Sequence, residues 1–343
     1  LDTDDELFDG GDDNGDPYES EEWFYFDSKG KAQKNKNKQI GGRWYSFDAN
    51  GVMLDLWVYG SESISNTDGS SSTYATDPNA AARYHEESNG WRDKNWVLAY
   101  AKTDYDDYDE DMYWFYLDSK GRPAIAESDD GQGYDLSDDI KGGTVYTVAA
   151  KSIKNKTYIF DDAGRMRTGL FKLEGVTKGN SNSPMDDGFY YFTEEEGSTE
   201  GQMVTNKKVT IELDGEEETY YFDKSGEAYT ATIISGSLYG IDGALVTDYG
   251  DGGTYEQVSF DYDIRIDKSS SKYIKAGTPV LVNGNGKIKS SGSTTDIDGV
   301  KVGVKNYVVN SEKEDGGDEV NWEVVEEKTG DATYYSQGGT ITE

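Results

Sequence analysis

One short pattern returns along this chain and limits what it can fold into. Aromatic residues run into an acidic residue, two turn-forming residues and a Gly. The pattern reads WFYFDSKGK at 23–31, WYSFDANGVM at 44–53, WFYLDSKGR at 114–122, TYIFDDAGRMRTGL at 157–170 and YYFDKSGEA at 220–228. FYYF at 189–192 leads through an acidic turn to Gly201-Gln202-Met203, and weaker copies stand at 238–246 (LYGIDGALV) and 280–290 (VLVNGNGKIKS). Each copy reads as a β-hairpin. Side chains of the aromatic strand alternate between faces, and Gly supplies the positive φ of a tight turn.

A lone hairpin is marginal in water. A row of hairpins is stable when each buries the aromatic face of its neighbour, as repeat proteins do. The position before the acid falls at 26, 47, 117, 160, 192, 222 and 282, giving a first step of 21 residues and later steps of 70, 43, 32, 30 and 60. A period near 20 with insertions predicts an all-β fold of stacked β-hairpin repeats, a β-solenoid, followed by a C-terminal antiparallel β region.

Composition agrees. Apolar residues are only 34% of the 343, yet aromatics reach 13%, with 27 Tyr, 7 Trp, 41 Gly and 5 Pro. Disordered acidic chains lack aromatics; many short strands between tight turns require this mixture. The net charge of −35 repels phosphate backbones, so nucleic acid is not expected as a partner, nor is an anionic membrane. No apolar run approaches the roughly 20 residues of a membrane span. A cationic ligand is attracted instead.

Other segments follow simpler rules. In QVSFDYDIRID, Val258, Phe260, Tyr262, Ile264 and Ile266 alternate with polar residues, the signature of a one-sided strand. Val209, Ile211 and Leu213 precede an Asp214-Gly215 turn and a second strand. NWEVVEEKTGDATYYS is a further hairpin candidate. DPNAAARYHEES at 77–88 is the best helix candidate, with Asp77 as cap and Pro78 in the first turn. The acidic run at 103–112 reads as a solvated loop. The resulting division is 1–20 acidic linker, 21–60 hairpin repeats, 61–110 insertion with a short helix, 111–250 repeats with extra strands, and 251–343 C-terminal β region with degenerate repeats.

Catalytic signals are weak. His85 is the only histidine and lies in a polar stretch, so it reads as a surface residue. Without Cys and with one His, no catalytic triad and no zinc site is expected, and no cofactor motif is present. The aromatic residues Phe24, Phe26, Phe47, Tyr158, Phe160, Tyr190, Phe192, Tyr221 and Phe222 read as hairpin core.

Residues 23–53 and TYIFDDAGRMRTGL resemble the choline-binding and glucan-binding cell-wall repeats of Gram-positive surface proteins. The likeness extends over 21–60 and 111–250, faintly over 275–290, and not over 61–90 or 291–343. The resemblance implies a secreted, cell-surface β-hairpin superhelix without catalytic activity of its own. It would bind wall choline or a polysaccharide through aromatic cages between successive hairpins. Quaternary ammonium groups have no hydrogen-bond donor and are held by ring faces. Carried over by residue, the expected ligand groups are Trp23, Trp44, Tyr45, Trp57, Trp91, Trp114 and Tyr116, with Trp44 and Trp57 in one cage.

The departures are also clear. Leu170 follows Gly169 where the family has Trp, 33–42 holds no aromatic, and Gly90-Trp91 lies over 20 residues from Tyr113 and Trp114. They favour a second reading, in which a structural or adhesive spacer presents its insertions to a host or surface protein. A hidden hydrolase is a third, with 68 acids but no recognisable nucleophile motif.

Overall fold

The computed structural model describes residues 22–59, 82–100, 112–137, 144–178, 183–268, 271–290, 294–297, 300–308 and 318–326. All regular structure among them is β. The chain divides into two compact units, residues 1–127 with 160–166, and residues 128–159 with 167–343.

The recurrent motif is one repeated turn. In six copies the residue before the turn (Asp27, Asp48, Asp118, Asp161, Asp223 and Asn283) accepts the backbone N–H four residues on with its own side chain, at 2.7–3.1 Å. Its carbonyl accepts from the Gly three residues on, and its N–H donates to the carbonyl four residues on. That Gly has φ between 68° and 97° in every copy. The sequence rule therefore states a requirement for a carboxylate or amide acceptor plus a left-handed residue. Asn283 satisfies it as well as Asp does.

Stacking follows from a second regularity. The aromatic strand of one hairpin receives the return strand of a later one. Met53 N–H donates to the Trp23 carbonyl, Arg92 to Trp44, Met203 to Thr157, Ala228 to Phe189 and Leu245 to Thr219. These bonds pair one edge of each of the hairpins they join, which shortens the exposed ladder that a free hairpin would carry.

The first unit contains β1 (Lys36–Ile40), β2 (Arg43–Phe47), β3 (Met53–Leu54), β4 (Leu56–Tyr59), β5 (Ala82–His85), β6 (Asn95–Tyr100) and β7 (Met112–Leu117). They pair as β1-β2-β3, β4-β5 and β6-β7. Their core is Trp57, Tyr84, Val97, Ala99, Phe115 and Leu117.

In the second unit, Thr144–Ile153, Gln132–Asp135, Gly169–Glu174 and Gly188–Phe192 lie side by side. They enclose Val148, Ile159, Phe171, Leu173 and Phe192. Lys207–Leu213 pairs with Glu216–Phe222 across the Asp214-Gly215 turn, where φ is 51° and 81°. Towards the C-terminus, short antiparallel hairpins are joined by two brief parallel pairings, of Thr232 with Arg265 and of Lys272–Tyr273 with Asp318–Glu319.

Four expectations are corrected. Ala82–His85 is a strand paired with Leu56–Tyr59, not the second half of a helix; residues 77–81 lie outside the described residues. Short alternating segments are captured by a waiting strand edge whatever their helical propensity. The stretch 61–110 consequently supplies β5 and β6 to sheets whose other strands lie outside it. Residues 257–267 do alternate in burial, but the strand breaks at 260–263, where Asp263 accepts the Ala276 N–H at 2.8 Å. Phe24 and Phe26 are exposed rather than core, while the other seven aromatics expected inside are buried or half-buried. The linker at 1–20 and the acidic run at 103–111 lie outside the described residues, as does the last hairpin beyond Glu326.

Candidate functional site

The hairpin β6–β7 carries two unlike faces. Val97, Ala99, Phe115 and Leu117 point into the core. The opposite face places Trp96 beside Tyr116 and Leu98 beside Trp114, with Tyr100 beside Met112. Trp96 meets Tyr116 edge-on at 5.2 Å and 67°, meets Trp114 at 6.4 Å and 89°, and stacks on Phe160 at 5.9 Å and 28°. Trp96, Trp114 and Tyr116 are half-buried, and the stripe continues into Leu98, Tyr100 and Met112, which are 42%, 54% and 46% exposed. Trp96 is thus steeply inclined to Trp114 and Tyr116, and all three rings keep accessible surface.

Trp114 and Tyr116 were expected here from the motif. Trp96 was not, because NWVLAY lacks the acid and Gly that mark a copy. Its signal is register alone: an aromatic one strand over from Tyr116.

The remaining expected ligand residues separate. Trp57 is 5% exposed and belongs to the core, edge-on to Tyr84 at 5.1 Å and Phe115 at 4.8 Å. Its Nε1 donates to the Tyr100 carbonyl at 2.8 Å. The expected pairing of Trp44 with Trp57 in one cage is therefore absent, because β5 closes over Trp57. Trp23 stands 60% exposed near the start of the described chain.

Tyr45 and Trp91 are paired by a backbone bridge, with Trp44 on the other face of β2. Gly90, at φ 68°, closes the turn that delivers Trp91 to a bridge with Tyr45. Two arginines join them. The Arg43 guanidinium lies 3.5 Å from the Trp91 ring centroid, and that of Arg92 lies 5.7 Å from Trp44. Arg92 is half-buried, its Nε and Nη2 make no hydrogen bond, and burial together with the charge of Arg83 lowers its pKa to about 10.

Behind this group lies His85, which is fully buried and not a surface residue. Its Nε2 is 3.0 Å from the Ser46 hydroxyl, which in turn donates to Asn37 Oδ1 at 2.5 Å. The hydroxyl of Ser46 and Nε2 of His85 share a hydrogen bond whose direction follows the imidazole tautomer. Burial first, and then the charge of Arg92, lowers the His85 pKa to about 3. The imidazole is a neutral structural group at neutral pH. The strand ARYH buries Arg83, Tyr84 and His85 in succession, a two-sided burial that its polar sequence does not announce.

Several solved structures align with this chain at low identity. It aligns with choline binding protein F of Streptococcus pneumoniae at 20% identity and TM-score 0.36, over 67% of this chain and 56% of that one. It aligns with the modular autolysin LytC of the same organism, solved with a synthetic peptidoglycan ligand, at 14% identity and TM-score 0.29, over 84% and 55%. The choline-binding domain of CbpL, also from Streptococcus pneumoniae, aligns at 18% identity and TM-score 0.33, over 69% and 90%. The chain thus spans about half the length of the first two. A search of curated proteins returns no match. Residues 18–32 and 38–53 match the choline-binding repeat family described as "Putative cell wall binding repeat". Within those two stretches the sequence is that of a cell-wall-binding repeat of the choline-binding type.

Proposed function

We propose that this chain is a non-catalytic, surface-associated module that attaches a secreted protein to wall choline or wall glycan. The observation that carries the reading is the accessible, three-ring cluster of Trp96, Trp114 and Tyr116 on one face of a rigid hairpin. Each cation–π contact contributes about 0.5–2 kcal/mol, so two or three of them give millimolar affinity, near −4 kcal/mol. The charge of −35 raises the local concentration of a cationic ligand. The sole histidine is buried and neutral, which removes the commonest general base and supports a binding role over catalysis. The test is a choline titration of the full chain followed by Trp fluorescence. A saturable response at millimolar choline, lost in Trp114→Ala, supports the reading. If choline is silent, pull-down on insoluble glucan decides the carbohydrate alternative.

The stripe formed by Leu98, Tyr100 and Met112 favours a second reading. An accessible apolar strip beside aromatic rings suits a protein partner. In that case the Trp114→Ala variant loses adhesion to the partner and leaves choline and glucan without effect.

A further inference from the structure

The ring of Trp91 already carries a cation. Arg43 Cζ stands 3.5 Å from its centroid, the separation of two flat groups in van der Waals contact. The arrangement is fixed by backbone. Arg43 opens β2, and two residues on, Tyr45 forms the bridge to Trp91. Arg43 and Tyr45 therefore share a face, and the guanidinium of the first lies over the ring paired with the second. The next residue, Arg92, donates its N–H to the Trp44 carbonyl at 2.7 Å and faces the Trp44 ring. A quaternary ammonium seated on the Trp91 face that Arg43 covers would need the place of the guanidinium. The guanidinium denies it both space and, as a like charge, attraction.

Resting on the wall-binding reading, we propose that Arg43 is a specificity-determining residue, an intramolecular competitor that closes the Trp91 face to small quaternary ammonium ligands. Trp91 then takes such a ligand only when Arg43 leaves.

The experiment follows indole N–H NMR signals of the full chain during a titration with tetramethylammonium, the Trp91 signal being assigned by Trp91→Phe. Arg43 is exposed, so Arg43→Gln leaves the fold intact. Lys38 lies on the same face, opposite Tyr45, and Lys38→Gln removes the same charge without uncovering Trp91. Arg43→Gln is expected to lower the half-saturation concentration at Trp91 about five- to tenfold relative to wild type and Lys38→Gln. Equal half-saturation in the two variants, or a Trp91 signal unmoved in Arg43→Gln, overturns the proposal. A parallel choline titration read at Trp96 and Trp114 separates the two ideas. Silence there defeats the choline form of the wall-binding reading and leaves the Arg43 comparison legible; a response there with Trp91 unchanged in Arg43→Gln defeats only the role of Arg43.

Discussion

Asp161 and Arg165 hold one turn from both ends. The fully buried Asp161 carboxylate accepts the Arg165 backbone N–H through Oδ1 and the guanidinium Nε through Oδ2, each at 2.8 Å. Removing a buried partner strands the other charge. Asp161→Ala is expected to cost about 3 kcal/mol in urea unfolding. Asp161→Asn keeps the turn acceptor, as Asn283 does in its own copy, and is expected to cost about 1 kcal/mol. Equal losses would show that the ion pair, not the turn acceptor, sets the cost.

His85 makes stability depend on pH in a defined direction. Its folded pKa, about 3, lies below the unfolded value of 6.5, so the unfolded chain binds the extra proton between those values. The stabilising contribution is complete above pH 6.5 and fades as pH falls towards 3. The slope attributable to this residue approaches about 1.4 kcal/mol per pH unit. Carboxylates titrate in the same range, so the measurement is the difference between wild type and His85→Gln from pH 4 to 7. An unchanged slope in the variant would refute the assignment.

Trp57 and Trp114 are expected to fail in opposite ways. Trp57→Ala empties a core position and removes the donor to Tyr100, costing about 3–5 kcal/mol of stability. Trp114→Ala lowers stability by about 1 kcal/mol or less and abolishes the choline response. Thermal melts beside fluorescence titrations distinguish them.

Glu227 stands in an unfavourable field. Burial, then Asp186 and Asp223, raise its pKa, so part of the folding stability is lost as pH rises through that value. Glu227→Gln is expected to stabilise the chain at pH 7 by up to about 0.5 kcal/mol, given solvent screening. The gain should vanish below pH 4. A variant no more stable at pH 7 than at pH 4 would speak against this field.

The turns were legible because their chemistry is local: an acceptor and a Gly three residues apart specify the loop wherever they occur. The partners of each strand were not, because they depend on which distant edge is free. Ala82–His85 reads as helix in isolation and becomes a strand against Leu56–Tyr59. The same pairing buries Trp57 and His85, so one misread segment moved an expected ligand residue and an expected surface histidine into the interior. Trp96 was missed for lack of a motif and is found only through its register with Tyr116. Arg43 over Trp91 joins residues 48 positions apart (91 − 43 = 48), beyond any local pattern.

Several bonds carry one hairpin into a later one, as from Met203 to Thr157, Ala228 to Phe189 and Leu245 to Thr219. Under a pull applied along the chain, the load reaches one clasp after another rather than the whole body. Such a tether pays out length in separate increments of a few tens of residues and can re-engage behind each opened clasp.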